Sequence, residues 1–311
     1  MSNVEDIAFK LRTELTESAR RNTGSGLLFS GGLDSAILAS IGSCVKAITV
    51  TLRSYGEDLK YATSLAKLLN IEHYQRSVEV DEAIDAIPEV IRILRTFDPA
   101  IPNDLVVYFG LKKAHELGIK EVMTGDGSDE LFAGYSFMQK LDDLEGYIKR
   151  MSRKMRFSSN KIGEFWKIKI AQPFLDRKFI DFSLKIKPEL KIKKQEGTLW
   201  GKWILRKSFE DILPKKIIWQ SKRPLEYGSG MSRLRDIISS RITDAEFKEN
   251  LYSVKFMNKE HLYYYKIYIK EIGEVPKPKK GEKPCPGCGA GMGINAFHCK
   301  VCGNMLNWRC R

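Results

Sequence analysis

The sequence predicts an α/β fold in which helices sandwich a parallel sheet, followed by a helical C-terminal extension and a small cysteine-rich module. Three observations predict it. Strand and helix patterns alternate over residues 3–124, the pattern turns mostly helical from about residue 136, and four clustered cysteines follow a basic, proline-rich segment. Strands that alternate with helices of this length are typical of βαβ units.

The alternating region begins with a helix and continues with four strands. Apolar residues at helical spacing predict the first helix over residues 3–21. We expect strands at Gly26–Phe29, Val45–Leu52, Ile71–Val78 and Glu121–Thr124, and helices at Asp34–Ile41, Glu57–Leu69, Val80–Leu94 and Asp104–Leu117. Asn103 is the expected N-cap of the last helix. Ligands bind at the carboxyl ends of the strands in such sheets.

We divide the chain into four parts. Residues 1–135 form the α/β domain, and residues 136–274 form a mostly helical part, with an extended stretch near 165–175, that completes the site. Residues 275–284 are a basic, proline-rich linker, and residues 285–311 are the cysteine-rich module.

The junction between the first strand and the next helix is suited to binding a phosphate. It reads Ser30-Gly31-Gly32-Leu33-Asp34-Ser35. The glycines permit tight turns that direct several N–H groups at one anion, and the helix that follows adds the positive end of its dipole. The serine hydroxyls can donate to phosphate, and Asp34 can hold Mg²⁺. The pattern resembles that of the PP-loop ATP pyrophosphatases (a HUP-like fold), which cleave ATP between its α and β phosphates.

A second loop lies at the end of the last predicted strand. Residues 124–135 contain Gly125, Gly127 and three acids, namely Asp126, Asp129 and Glu130. Carboxylates here suit a Mg²⁺–pyrophosphate site, because the metal would neutralise a departing pyrophosphate. The same residues also suit a cluster that caps a helix N-terminus. The sequence of this loop alone leaves both interpretations open.

Together the motifs resemble the synthetase domain of glutamine-dependent asparagine synthetases and their β-lactam-synthetase relatives. That family carries an SGGLDS loop and a G-E-G-S-D-E-x-F-G-G-Y loop. Its P-F-L-D block is matched by Pro173–Asp176, its K-x-x-L-R block by Lys202, Leu205 and Arg206, and the lysine of its basic loop by Lys222. The resemblance covers about residues 20–235.

The resemblance implies a role for each matched residue. Five residues would bind the phosphates of ATP: Ser30, Gly31, Gly32, Asp34 and Ser35. Asp34 and Asp129 would hold Mg²⁺, while Gly125 and Gly127 would let their loop approach the nucleotide. The candidate catalytic residues are Asp126, which would face the reacting centre, Lys222, which would stabilise the departing pyrophosphate, and Lys202.

The chain also departs from the family pattern. Lys169 and Ala171 stand where the family has Glu and Arg before its P-F-L-D block. Asp126 replaces a glutamate, and Gln220 replaces an arginine. These changes indicate an altered acceptor pocket and leave the acceptor open. Only some twenty residues precede the region of resemblance, so we expect that this chain does not hydrolyse glutamine itself. Free ammonia or a separate, ammonia-supplying protein would then provide the nitrogen.

The C-terminal cysteines have the spacing of a zinc ribbon. Cys285, Cys288, Cys299 and Cys302 form a C-x₂-C-x₁₀-C-x₂-C pattern, which predicts a tetrahedral Zn²⁺ site, with His298 as a weaker alternative ligand. The ribbon either contacts nucleic acid or protein, or braces the rest of the chain. Trp308, Arg309 and Arg311 would suit the first role, whereas Cys310 is expected to be a spectator and Cys44 a buried structural residue.

Two functions follow from these patterns. The first is an ATP-dependent, AMP-forming ligase. It adenylates a small-molecule acceptor, for which a carboxylate is favoured, and then transfers ammonia or an amine to that acceptor. The alternative is a tRNA-modifying enzyme that adenylates a base, receives sulfur or nitrogen from a partner protein, and uses the ribbon to bind tRNA. A net charge of +13 suits a polyanion, but also a solvated surface. A nucleotide-binding module without catalysis is a third possibility.

The location expected from the sequence is cytoplasmic. No apolar run is long enough for a membrane span or a secretory signal. The clustered cysteines suit a metal site in a reducing compartment better than a disulfide framework. We therefore expect no membrane partner.

Overall fold

A computed structural model describes residues 3–42, 45–296 and 298–305 of the chain. The central feature is a five-stranded sheet with the order β3-β2-β1-β4-β5. Its strands are β1 (Gly26–Leu28), β2 (Lys46–Leu52), β3 (Glu72–Val78), β4 (Glu121–Met123) and β5 (Lys169–Ala171). β1 pairs in parallel with both β2 and β4, and β4 pairs in parallel with β5. The extended stretch expected near 165–175 is therefore the fifth strand.

The other regular elements of the described residues are α-helices, two small hairpins and two 3₁₀-helices, Ser136–Lys140 and Pro173–Leu175. The α-helices are α1 (Val4–Arg21), α2 (Leu33–Ile41), α3 (Asp58–Leu68), α4 (Val80–Leu94), α5 (Ile101–Glu116), α6 (Ser128–Phe132), α7 (Leu144–Ser152), α8 (Ser158–Phe165), α9 (Arg177–Ser183), α10 (Pro188–Lys191), α11 (Trp203–Ser208), α12 (Lys215–Ile218), α13 (Leu225–Gly228), α14 (Arg233–Ser239), α15 (Asp244–Glu249) and α16 (Lys259–Glu271). The hairpins pair β6 (Ile192–Gln195) with β7 (Thr198–Gly201), and β8 (Glu282–Pro284) with β9 (Gly291–Gly293).

The expected N-terminal elements are present, with one correction. α5 begins at Ile101 rather than at Asp104, so Asn103 is not its N-cap. The reason lies upstream, where the Asp98 carboxylate accepts a hydrogen bond from the Ala100 N–H at 2.9 Å and starts the helix early. The side-chain oxygen of Asn103 instead accepts from the Glu226 N–H at 3.0 Å.

The chain divides into two compact units. Unit 1 comprises residues 1–50, 57–76 and 110–224, and unit 2 comprises residues 51–56, 77–109 and 225–311. The four-part division expected from the sequence remains a prediction. Cys44, Trp308, Arg309, Cys310 and Arg311 lie outside the described residues.

The helices of unit 1 pack against the sheet through a shared apolar core. Leu11 and Leu15 of α1 are fully buried, as are Leu27 of β1 and Phe132 of α6. They belong to one apolar cluster that also includes Ile37 of α2. Each fully buried side chain of this size contributes roughly 1.5–3 kcal/mol from the hydrophobic effect.

Neighbouring strands place two loops side by side. Because β1 and β4 are adjacent and parallel, residues 30–35 and 124–130 leave the sheet at the same edge. Within the described part of the chain, we find no helix with the length and apolar character that a membrane span requires.

Candidate functional site

The first loop is shaped by a glycine and two serines. Gly31 has φ +71°, and a Cβ at this position would lie 2.7 Å from the Ala62 nitrogen of α3. Only glycine fits both constraints without strain. The Ser30 Oγ accepts a hydrogen bond from the Gly32 N–H at 3.2 Å, and the Ser35 Oγ donates to the Gly32 carbonyl at 3.2 Å. The loop is thus ordered up to the first turn of α2.

The second loop lies in direct contact with the first. A Cβ on Gly125 would lie 3.0 Å from the Cβ of Asp34, and Gly127 adopts φ +92° with Leu175 packed against it. The Ser128 hydroxyl donates to Asp34 Oδ1 at 2.7 Å. The glycines therefore permit the close approach that joins the two loops.

Two lysines bind the acids of both loops. Lys202 Nζ lies 2.6 Å from Asp34 Oδ2 and 2.9 Å from Asp129 Oδ1. Lys222 Nζ lies 2.6 Å from the same Asp129 oxygen. The Lys202 side chain is only 5% exposed, compared with 33% for Lys222. We call Asp34, Asp129, Lys202 and Lys222 the ion cluster.

Charge pairing outweighs burial within the ion cluster. Burial alone would raise the pKa of Asp129, but Lys202 and Lys222 hold this pKa below its ordinary value. Burial alone would lower the pKa of Lys202, but Asp129 and Asp34 raise it. The two groups are therefore charged at neutral pH, and they form a buried ion pair of the kind that is costly to break.

Two residues that the sequence analysis gave no role position the ion cluster. A Cβ on Gly134 would lie 1.8 Å from Asp129 Oδ1 and 2.4 Å from Lys202 Cε, so the cluster requires glycine here. Arg206 donates hydrogen bonds to the carbonyls of Ile218 and Gln220, and thereby fixes the chain that leads to Lys222. The second Gly of the family's F-G-G-Y signature, matched by Gly134, was the available signal for the first of them.

Aromatic rings lie close to the charged groups of Arg206 and Lys222. The Arg206 guanidinium lies 4.8 Å from the centroid of the Trp200 ring and 6.0 Å from that of Trp219. Lys222 Nζ lies 3.8 Å from the centroid of the Tyr135 ring. Burial lowers the pKa of Arg206 to about 10, against the opposing effect of Asp34 and Asp129, so Arg206 is still charged at neutral pH.

Asp126 lies in a different environment from the ion cluster. Its Oδ2 accepts hydrogen bonds from the hydroxyls of Thr124 and Ser159, both at 2.6 Å, and from Gln172 Nε2 at 2.9 Å. Gln172 Nε2 also lies 2.8 Å from Asn160 Oδ1. These donors are all neutral, so they orient the Asp126 carboxylate without neutralising its charge. The structure thus does not bring Asp126 together with Lys202 and Lys222.

Three residues that depart from the family pattern, Lys169, Ala171 and Gln220, lie in different environments. Lys169 is 72% exposed and pairs with Glu121 at 2.8 Å, whereas Ala171 is buried. Gln220 Nε2 donates to the Gly31 carbonyl at 3.3 Å, and so connects a distant loop to the first glycine loop.

The donor set of the ion cluster suits a magnesium ion. Asp34 and Asp129 supply carboxylate oxygens, which are the ligands that Mg²⁺ prefers. Lys202 bridges the two carboxylates and offsets their charge. The assignment of Asp34 and Asp129 as magnesium ligands remains a prediction.

The four C-terminal cysteines form a compact cluster. Their Sγ atoms all lie within 4.8 Å of one another, with 3.6 Å between Cys285 and Cys302 and 3.8 Å between Cys288 and Cys299. Zn–S bonds of about 2.3 Å in a tetrahedron give S–S edges of roughly 3.8 Å. The spacing fits one tetrahedral ion, whereas an iron–sulfur cubane between the thiolates would hold them farther apart.

Backbone amides support the cysteine sulfurs. The Gly287 N–H donates to Cys285 Sγ at 3.3 Å, and the Val301 N–H donates to Cys299 Sγ at 3.4 Å. Among the described residues, His298 is not part of the cysteine group. The four cysteines are therefore the ligand set that the geometry favours.

Comparisons with known proteins point to one family. The asparagine synthase family model matches residues 10–167 and 147–264. The chain is 33% identical over 278 residues to the glutamine-hydrolysing asparagine synthetase 2 of Lotus japonicus, an alignment that covers 79% of this chain and 47% of the relative. It is 30% identical over 274 residues to the asparagine synthetase of Zea mays, covering 78% of this chain and 47% of the relative. The chain thus spans about half the length of these curated relatives.

Two solved structures are distantly similar to this chain. NMN synthetase from Francisella tularensis aligns with a TM-score of 0.37 and 15% identity, covering 87% of this chain and 97% of that one. The U34-tRNA thiolase NcsA from Methanococcus maripaludis aligns with a TM-score of 0.36 and 14% identity, covering 90% and 84%. Both TM-scores are too low to support an inference. The sequence relationship is sufficient without them: the family model matches well over half of the residues, and the chain therefore belongs to the asparagine synthase family.

Proposed function

We propose that this chain is an ATP-dependent ligase that adenylates a carboxylate and then transfers ammonia or an amine to it. One observation carries the proposal. Two carboxylates and two lysines converge where β1 and β4 end, beside a glycine loop that opens α2. This arrangement provides ligands for Mg²⁺, cations for phosphate and a helix N-terminus in one place.

Each residue then has a defined task in binding ATP. The backbone of Gly31 and Gly32 and the hydroxyls of Ser30 and Ser35 would bind the β and γ phosphates. Asp34 and Asp129 would hold Mg²⁺, which when bound neutralises the charge of the pyrophosphate. The chain lacks the Gly-Lys-Ser/Thr end of a P-loop in this region, so the loop would hold the pyrophosphate as one leaving unit.

The chemistry proceeds in two substitutions. A carboxylate oxygen of the acceptor attacks the α-phosphorus, the bond to the bridging oxygen breaks, and pyrophosphate leaves with the electron pair. Ammonia or an amine then attacks the acyl carbon, the carbon–oxygen bond breaks and AMP leaves. Lys202 and Lys222 would stabilise the negative charge that develops on the pyrophosphate, a contribution made mainly to the transition state.

The Asp126 environment is the proposed acceptor side. Three neutral donors hold its carboxylate in one orientation, and among the described residues no ion pair joins it to a cation. A carboxylate fixed in this way can bind an incoming amine in its cationic form, or accept the proton that the amine loses when it attacks the acyl carbon. We also propose a cytoplasmic location, because a reducing compartment keeps the clustered cysteine thiols from forming disulfides and so leaves them able to bind a metal.

The charge around the Asp126 environment favours a second candidate, modification of tRNA. Between Glu145 and Glu164 the chain has no acid and six cations, which are Lys149, Arg150, Arg153, Lys154, Arg156 and Lys161. In this same segment, Ser159 contacts Asp126 and Asn160 contacts Gln172. An RNA backbone would find a positive surface beside the reacting centre, and base adenylation would precede transfer of sulfur or nitrogen from a partner protein.

A pyrophosphate-release screen separates the two functions. Purified protein with ATP and Mg²⁺ is offered carboxylic acids plus ammonium in one arm and bulk tRNA in the other. The first function predicts release only in the first arm, and the second function predicts release only with tRNA. Asp34→Asn and Asp129→Asn should abolish release in the active arm while the melting temperature shows that the fold survives. Release at the wild-type rate in both variants would refute the ion cluster as the site.

A further inference from the structure

The cysteine cluster has specific attachments within unit 2. Its two turns, Cys285–Gly289 and Cys299–Gly303, each hydrogen bond to a different segment of the chain outside the ribbon. The spacing of the four cysteines predicts the metal site, but it does not predict either of these attachments.

The second turn is bound to the connection between α4 and α5. The Val301 carbonyl accepts hydrogen bonds from the Phe97 N–H at 2.8 Å and from the Thr96 hydroxyl at 3.1 Å. Gly303 lies so close to this connection that a Cβ would sit 2.5 Å from Asp98 Oδ1. Glycine is required at this turn, which also has φ +74° at Gly303.

The first turn is bound to the segment that precedes α16. The Gly287 carbonyl accepts a hydrogen bond from the Lys255 N–H at 2.8 Å. A metal ion that joins the two turns therefore connects residue 255 with residue 97.

The side chain of Phe97 packs against α16. It is fully buried, and its ring centroid lies 5.2 Å from that of His261 and 5.1 Å from those of Tyr265 and Tyr268, all on α16. The α4–α5 connection thus makes ring contacts with α16 and hydrogen bonds with the second cysteine turn.

The same connection is attached to α14. Arg235 donates to the Pro99 carbonyl at 2.9 Å and pairs with Glu226 at 2.6 Å and Glu260 at 2.8 Å. Glu260 is only 1% exposed, so this ion pair would be costly to disrupt. Movement of residues 95–100 would therefore disturb a buried charge network.

We infer that the zinc-loaded cysteine cluster is a clamp that fixes the α4–α5 connection, residues 95–100, against α16. The ribbon is then a built-in part of unit 2, and not a tethered module free to bind RNA. Metal binding is coupled to folding in sites of this kind, so zinc occupancy should determine whether this connection is ordered.

Hydrogen exchange in the full chain, with and without zinc, tests the clamp. Elemental analysis first establishes one Zn²⁺ per chain, and a chelator then removes it. Exchange at the Phe97 and Lys255 amides should become at least about tenfold faster. The Phe29 amide, which donates to the Ile48 carbonyl at 2.8 Å in unit 1, serves as the internal control and should not change.

A variant that keeps all four cysteines guards against a general folding defect. Thr96→Val removes the hydroxyl that donates to the Val301 carbonyl and accepts from the Asp98 N–H, but no metal ligand, so it should retain zinc while exchange at Phe97 rises. Absence of zinc, or unchanged exchange at Phe97 and Lys255 after chelation, would overturn the inference. An equal increase at Phe29 would also contradict a clamp confined to this connection.

Discussion

Replacing Lys202 by methionine should reveal how strongly the ion cluster depends on its central cation. Lys202 is 5% exposed and contacts both Asp34 and Asp129. Removing one partner of a buried ion pair costs about 3–5 kcal/mol. We expect the lower end, about 3 kcal/mol, because Lys222 still pairs with Asp129 and the two carboxylates are 23% and 19% exposed.

The loss of stability in Lys202→Met should depend on pH. In the wild type, the pKa of Asp129 is lowered, so its stabilising contribution is present above the unfolded value of about 3.9 and is lost as pH falls through the folded value. Without Lys202, burial is opposed only in part, and the folded pKa rises. The deficit should therefore be largest near neutral pH and should shrink towards pH 4.

Urea unfolding followed by tryptophan fluorescence measures this deficit. Trp200, Trp203 and Trp219 all lie in unit 1, which contains the ion cluster, so their fluorescence reports the unfolding of that unit. Lys207→Met is the matched control, because Lys207 lies on α11, the helix that Lys202 directly precedes, is 33% exposed and pairs with Glu210. Such partly exposed pairs contribute about 1 kcal/mol or less. Mg²⁺ should recover part of the stability of Lys202→Met. Equal losses in both variants, or a deficit that is independent of pH, would refute the reasoning.

Two further variants test the positioning of the cluster. Lys222→Ala should reduce AMP formation far more than it weakens ATP binding, since its cation acts on charge that develops in the transition state; an effect on ATP affinity alone would remove it from the catalytic residues. Gly134→Ala should displace Asp129 and abolish Mg²⁺-dependent ATP binding, measured by calorimetry, because the new Cβ would lie 1.8 Å from Asp129 Oδ1. Gly293→Ala, which meets nothing within 4 Å, should bind ATP as the wild type does, and equal binding by both variants would contradict the steric argument.

The order of strands and helices could be predicted from the sequence because local patterns determine it. The apolar runs around Leu27 and Ile48, the Gly31–Gly32 junction and the amphipathic helix over Val80–Leu94 are all local signals. The start of α5 was missed because the competing signal, the Asp98 side chain, lies before the apolar pattern begins. A carboxylate three residues before the start of the helix is indistinguishable in sequence from any surface acid.

The site was predictable as a set of motifs but not as a geometry. The resemblance brought together Asp34, Asp129, Lys202 and Lys222, and these residues are in contact. The neutral cluster around Asp126 could not be foreseen, because Ser159 and Gln172 come from α8 and from the end of β5, far along the chain. Likewise, ligand spacing alone could not show that the cysteine turns bind residues 97 and 255.

The nucleotide products of the reaction test the central claim most directly. Chromatography of ATP consumed by the wild type with Mg²⁺ and the active acceptor should give AMP and pyrophosphate in equal amounts. The same reaction with Asp129→Asn should leave ATP intact. ADP and phosphate as the products, or undiminished AMP formation by Asp129→Asn, would contradict a ligase that adenylates its acceptor at the ion cluster.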